Sequence, residues 1–140
     1  MKNYAITCLF VLVYIGLVAQ DSNSIFDKFE STTIYFDGYK INVETLGTGE
    51  PIFFFAGGPG NSHDYMQGAF GEYYQSNQVV FIDMLGRGMS DDAKSVAEYS
   101  IDNDVAVAEA VRKALELDKV AVVGHSYGTV VAQALSLIHI

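Results

Sequence analysis

Cysteine is almost missing from this 140-residue sequence, where Cys8 is the single example. One thiol cannot close a disulfide within the chain or build a cysteine metal site. Cys8 also lies in an N-terminal segment expected to be removed, so the mature protein is expected to carry no thiol. Basic residues are scarce as well: eight Lys and Arg stand against seventeen Asp and Glu, a formal net charge of −9. So acidic a surface argues against nucleic acid or an anionic membrane as a partner. Runs of like charge, internal repeats and low-complexity stretches are absent, and nothing marks a second domain. A phosphate-binding loop is missing too. Gly86-Arg87-Gly88-Met89-Ser90 has neither the glycine spacing nor the lysine that a nucleotide site needs. No cofactor and no metal are expected.

Half of the residues are apolar, enough for one domain with a real core. Lys2 followed by the apolar run 5–19 reads as a secretory signal peptide cut after Ala19, since the run is short for a bilayer span. The expected address is therefore periplasmic or secreted, with membrane anchoring as the alternative if the signal is retained. With the signal removed no stable membrane partner is expected. Residues 20–30 read as a polar linker, and residues 31–140 as the folded part.

Ile34-Tyr35-Phe36, the turn Asp37-Gly38 and Lys40–Thr45 predict a β-hairpin whose second arm has one dry and one wet face. Ile52-Phe53-Phe54-Phe55 is apolar without alternation, as a strand covered on both faces would be. It runs into Gly57-Gly58-Pro59-Gly60, where glycines let backbone N–H groups approach a ligand without side-chain interference. A short helix interrupted by Gly68 and Gly71 is expected over Asp64–Tyr74, and another buried strand over Gln78–Asp83. Ser100 can cap a helix running to about Leu117. Its apolar stripe is Ile101, Val105, Ala108, Val111 and Leu115, with Glu109 and Lys113 four apart on a polar face. Asp102 and Asp104 suit the positive end of that helix, a structural role.

The most informative stretch is Gly124-His125-Ser126-Tyr127-Gly128, between the apolar strand 120–123 and an apolar helix beginning near Val130. G-x-S-x-G between strand and helix is the pattern of a nucleophile elbow. Turning within two residues strains the central residue and brings neighbouring chain close, which leaves room only for glycine at Gly124 and Gly128. Ser126 is the candidate nucleophile. The N–H of Tyr127, at the start of a helix, and that of Gly58 are the candidate donors to an oxyanion. The glycines Gly57 and Gly60 shape the loop.

Gly57-Gly58-Pro59-Gly60 followed by Ser62-His63-Asp64-Tyr65 closely resembles the start of the proline iminopeptidases. The likeness continues through Asp83-x-x-Gly86-x-Gly88-x-Ser90, the helix from Asn103 to Leu115, and the elbow. It implies an α/β-hydrolase fold in its N-terminal half, a β-hairpin followed by a mainly parallel sheet with flanking helices. It also implies release of N-terminal proline or a similar residue from short peptides through an acyl-enzyme on Ser126. Two departures stand out. Ala56 replaces the histidine usual before the two glycines, and Met84-Leu85 is closer to the broader esterase-like branch. An enzyme acting on esters or lactones is therefore the second reading, and a non-catalytic binding module the third. In this fold the triad acid and histidine follow the serine along the chain. The sequence ends fourteen residues after Ser126 without such a pair. His63, His125 and His139 are all expected to be structural. The stretch is expected to be the N-terminal part of an enzyme, inactive and poorly folded alone. The expected partner is a small peptide or other small-molecule substrate, and the oligomeric state is left open.

Overall fold

Residues 24–138 are described by the computed structural model, so the signal-peptide reading of residues 1–19 and the reading of His139 lie outside the described residues. The hairpin forms as the sequence predicts. Strands β1 (Glu30–Phe36) and β2 (Tyr39–Leu46) pair antiparallel with Phe36 opposite Tyr39. Asp37 and Gly38, at φ 47° and 82°, supply the two positive φ angles that match the twist of a two-residue hairpin. The expected wet face of β2 is interrupted at Asn42, which is buried. Its amide accepts from Ser31 Oγ at 2.9 Å and donates to Asp83 Oδ2 at 3.1 Å, so a polar residue is kept inside because every strong partner is present.

Strands β3 (Glu50–Phe55), β4 (Asn77–Ile82) and β5 (Ala121–Gly124) complete a five-stranded sheet in the order β1-β2-β4-β3-β5. β2 runs against β4, while β4, β3 and β5 are mutually parallel, which makes the sheet mixed. The run Phe53-Phe54-Phe55 is fully buried because both faces are covered. Phe53 and Phe55, with Val80 and Ile82, pack towards helices α2 (Ile101–Ala114) and α3 (Tyr127–Leu137). Phe54, Val79 and Phe81 pack towards helix α1 (Asp64–Phe70), with Phe54 and Phe81 stacked at 4.7 Å between ring centres.

Three local expectations change. The helix expected over 64–74 is α1 followed by a 3-10 turn at Gly71–Gln75. Residues 25–28, read as part of a linker, form a 3-10 turn that docks on that spot. Ile25 Cδ1 lies 2.7 Å from where a Cβ on Gly71 would be, so the two segments meet only because Gly71 has no side chain. In α2, Ser100 caps as expected, its Oγ accepting from Asn103 N–H at 3.2 Å, but the buried stripe is rotated. Val107 is fully buried and Ile101 is exposed, because α3 packs on one flank of α2. Glu109 pairs with Arg112 at 2.9 Å, whose guanidinium also donates to the Leu117 carbonyl beyond the helix end.

Candidate active site

Parallel strands direct their C-terminal ends to one side, and ligands of open α/β sheets bind there. β3 and β5 end in register, Phe55 opposite Gly124. One further bond, His125 N–H to the Phe55 carbonyl at 3.1 Å, extends the pairing to the residue before Ser126. The glycine loop 57–60 and the elbow therefore leave the sheet side by side.

At the elbow Ser126 has φ 52° and ψ −118°, a region that costs a non-glycine residue about 1–3 kcal/mol. Backbone contacts hold it there. A Cβ on Gly124 would lie 2.3 Å from the Gly128 carbonyl oxygen, and one on Gly128 would lie 2.1 Å from that of Phe55. Both glycines are required by close approach, as the sequence predicts. Ser126 is exposed and is the N-cap of α3, yet its side chain forms no cap. Among the described residues its Oγ has no hydrogen bond, and neither Gly58 N–H nor Tyr127 N–H has an acceptor.

The loop side is less uniform. Gly57 is packed on the elbow, its added Cβ falling 3.2 Å from Ser126 Cβ, and its N–H donates to Tyr65 Oη at 2.6 Å. Gly58 requires φ 122°. Gly60 is surrounded by open space at a φ that any residue can adopt, so its lack of a side chain is not needed for the loop's shape.

Two buried clusters brace these elements. The Asp83 carboxylate at the end of β4 accepts from His63 Nδ1 at 2.7 Å, His63 N–H at 3.2 Å, Asn42 Nδ2 at 3.1 Å and Met89 N–H at 3.0 Å. Gly88 makes room for it, since a Cβ there would be 2.1 Å from Asp83 Oδ2. Burial alone pushes the His63 imidazole down, but the hydrogen bond and charge of Asp83, with Glu44 and Asp64, outweigh it and leave its pKa raised above 6.5. Burial likewise pushes Asp83 up, and the bonds from His63, Met89 and Asn42 overcome this and hold it below the usual carboxylate value. Both directions favour a charged pair. His63 Nε2 has no hydrogen bond, the nearest acid being Glu44 Oε2 at 3.5 Å. Because His63 immediately precedes α1, this pair fixes where that helix starts.

The second cluster supports the elbow. Asp104, in the first turn of α2, accepts from Arg87 Nη1 at 2.9 Å and from Tyr127 Oη at 2.9 Å, and the Arg87 guanidinium lies 5.3 Å from the centre of the Tyr127 ring. Burial first, and then the bond to Asp104, raise the Tyr127 pKa and keep its hydroxyl protonated. The signal available in the sequence was an acid inside an apolar stripe: Asp104 is four and seven residues from Ala108 and Val111. Tyr65 offered none, since its partner His125 is sixty residues away.

A cleft of about 260 Å³ borders the loop between Pro59, Gly60, Leu85 and Tyr99. A larger one of about 430 Å³ lies at the opposite end of β5, near Val120 and Lys119, away from Ser126. As for the histidines, His63 is held by Asp83 and His125 Nδ1 lies 2.8 Å from Tyr65 Oη, both structural settings.

The family model described as the alpha/beta hydrolase fold matches residues 50–139. A proline iminopeptidase from Saccharolobus solfataricus is 35% identical over 105 residues, which cover 74% of this chain and 33% of that protein. A 2-hydroxymuconate semialdehyde hydrolase from a Pseudomonas strain is 34% identical over 104 residues, covering 73% of this chain and 36% of that one. Among solved structures, an epoxide hydrolase from Vigna radiata superposes with a TM-score of 0.73 at 24% identity, over 83% of this chain and 37% of that chain, a likeness of fold. The chain spans about a third of the length of the curated relatives it matches.

Proposed function

Because this chain belongs to the α/β-hydrolase fold family, we propose that it is the N-terminal part of a serine hydrolase of the aminopeptidase type. The observation that carries this reading is Ser126: exposed, strained at φ 52°, its Oγ unbonded among the described residues, beside two N–H groups without acceptors. Ser126 Oγ attacks the carbonyl carbon of the first residue of a peptide, and its proton passes to a histidine base. The carbonyl oxygen becomes an oxyanion that accepts from Gly58 and Tyr127 N–H. Collapse expels the remaining peptide as an amine, protonated by the same base, and water then hydrolyses the ester on Ser126. Such a base contributes on the order of 10²–10⁴ in rate. His63 and His125 are engaged elsewhere, so the acid and base come from residues outside those described. The similarity to proline iminopeptidases supports N-terminal proline as the substrate residue.

Hydrolysis of a non-peptide substrate is the second reading, favoured by Met84-Leu85 and by the similarity to 2-hydroxymuconate semialdehyde hydrolase. We also propose export, on the strength of Lys2 and the apolar run 5–19.

The test uses the full-length protein. A fluorophosphonate should label it stoichiometrically, and Ser126→Ala should abolish the label; absence of labelling at any pH would leave a binding module. Prolyl β-naphthylamide and p-nitrophenyl acetate then separate the two enzyme readings. Turnover of the ester with no aminoacyl amide cleaved would remove the peptidase assignment.

A further inference from the structure

An oxyanion hole works only if its donors are aimed before charge develops, so whatever fixes the peptide planes of residues 56–58 sets its quality. The glycines cannot do this alone, since they have no side chains to pack and the widest backbone freedom of any residue. Ala56 before them has no polar side-chain group either. The structure offers one side chain that grips the loop from outside, Tyr65 in the first turn of α1. Its Oη accepts the Gly57 N–H at 2.6 Å and lies 2.8 Å from His125 Nδ1, one residue before Ser126. The two rings meet edge to face with centres 5.5 Å apart.

Resting on the serine hydrolase reading, we infer that Tyr65 is the positioning residue of the oxyanion loop, fastening Gly57 to the elbow through His125. The chemistry is specific. Two neighbouring glycine amides could both turn towards a carbonyl oxygen, and an acceptor that engages Gly57 N–H leaves Gly58 N–H as the donor free for the site. The phenol has one proton to give, and His125 Nδ1 is the acceptor within reach. Gly57 N–H, Tyr65 O–H and His125 Nδ1 thus form a short directed chain that joins the two halves of the oxyanion hole. Tyr65 is itself held from below, because His63, two residues earlier, is clamped to Asp83 at 2.7 Å. The end of β4 therefore sets the position of a loop that follows β3.

The test compares Tyr65→Phe, His125→Ala and the double variant in the full-length protein, by steady-state kinetics on the best substrate and by the rate of fluorophosphonate labelling. Tyr65→Phe keeps the ring and removes only the acceptor and donor. It should lower kcat by about tenfold to a hundredfold, given that losing an oxyanion donor outright costs about 10²–10³. KM should stay within about twofold and labelling should slow in step with kcat. His125→Ala should show a smaller loss of the same kind, and the double variant should be no worse than Tyr65→Phe. A Tyr65→Phe enzyme with wild-type kcat, or one whose KM alone rises, would overturn the inference. Should Tyr65→Phe not fold, His125→Ala decides alone, because His125 is exposed and carries the same tie. A wild-type protein that neither turns over nor labels would defeat the hydrolase reading and this one with it. Labelling that is complete and equally fast in all forms would defeat this one only.

Discussion

A Cβ on Gly128 would collide with the Phe55 carbonyl at 2.1 Å, whereas one on Gly60, across the same site, would meet nothing within 4 Å. The elbow is held by backbone against backbone; the loop facing it is held by side chains, Tyr65 on Gly57 and His63 on Asp83. The difference lies in what each can tolerate. A backbone contact leaves nothing that can move aside, while a side-chain tie can be cut and leave the fold standing.

The sharpest way to break this comparison is Gly128→Ala. It should cost about 4 kcal/mol or more, since the carbonyl it strikes belongs to a central strand, and soluble yield should collapse. Denaturant unfolding of the full-length protein within about 1 kcal/mol of wild type, the centre of ordinary point-mutant effects, would show that the elbow can relax after all. Next comes Asp104→Ala, which leaves the Arg87 guanidinium buried without its carboxylate and should cost about 3 kcal/mol. Asp104→Asn, which keeps an acceptor for Tyr127, should cost less. Equal losses would mean that charge, and not the hydrogen bond to the elbow, sets the effect.

A smaller effect is expected from the loop's clamp as pH changes. His63 has a folded pKa above its usual 6.5, so its contribution is fully present below about pH 6.5 and is lost as pH rises through the raised value. Asp83 is depressed below its usual 3.8, so its contribution is present above that pH and is lost as pH falls through the lowered value. Unfolding free energy should therefore decline on the alkaline side by at most one proton's worth, about 1.4 kcal/mol per pH unit. His63→Gln should remove that slope; an unchanged slope would assign it to other groups. Least of all, Gly60→Ala should shift stability by no more than about 0.5 kcal/mol, and a larger loss would show the loop to be as constrained as the elbow.

The same contrast explains what could be read from the sequence. Gly124 and Gly128 announce a close approach by being glycine, Asp37-Gly38 announces a hairpin, and Ser100 a helix cap; each of these signals is local. The strands expected at 52–55 and 78–83, found at Glu50–Phe55 and Asn77–Ile82, are legible because burial on both faces removes alternation. Asp83, Asp104, His63 and Tyr65 acquire their roles from residues twenty, twenty-three, twenty and sixty positions away. No local pattern encodes such pairings. The misjudged stripe of α2 has the same origin: Val107 is buried and Ile101 exposed because of where α3 packs, which the periodicity of α2 alone does not reveal. The wet face of β2 is broken at Asn42 because the Asp83 carboxylate, forty-one residues on, accepts from its amide inside the fold.

The spacing of these ties also bears on the order in which the molecule assembles. His63 to Asp83 closes a loop of twenty residues and Arg87 to Asp104 one of seventeen, but Tyr65 to His125 must close sixty and requires β5 already laid beside β3. Longer closures carry a larger entropy cost, about 0.6 kcal/mol per doubling, and contacts distant in sequence slow folding. The clasps that shape each half of the site can therefore form before the one that aligns them. A refolding chain would pass through a stage in which these two clasps exist and the elbow, which leans on the Phe55 carbonyl of β3, and the anion hole do not. Reactivity of Ser126 towards a phosphonate, sampled during refolding, would then lag behind the recovery of helix and sheet and serve as a clock for the docking of β5.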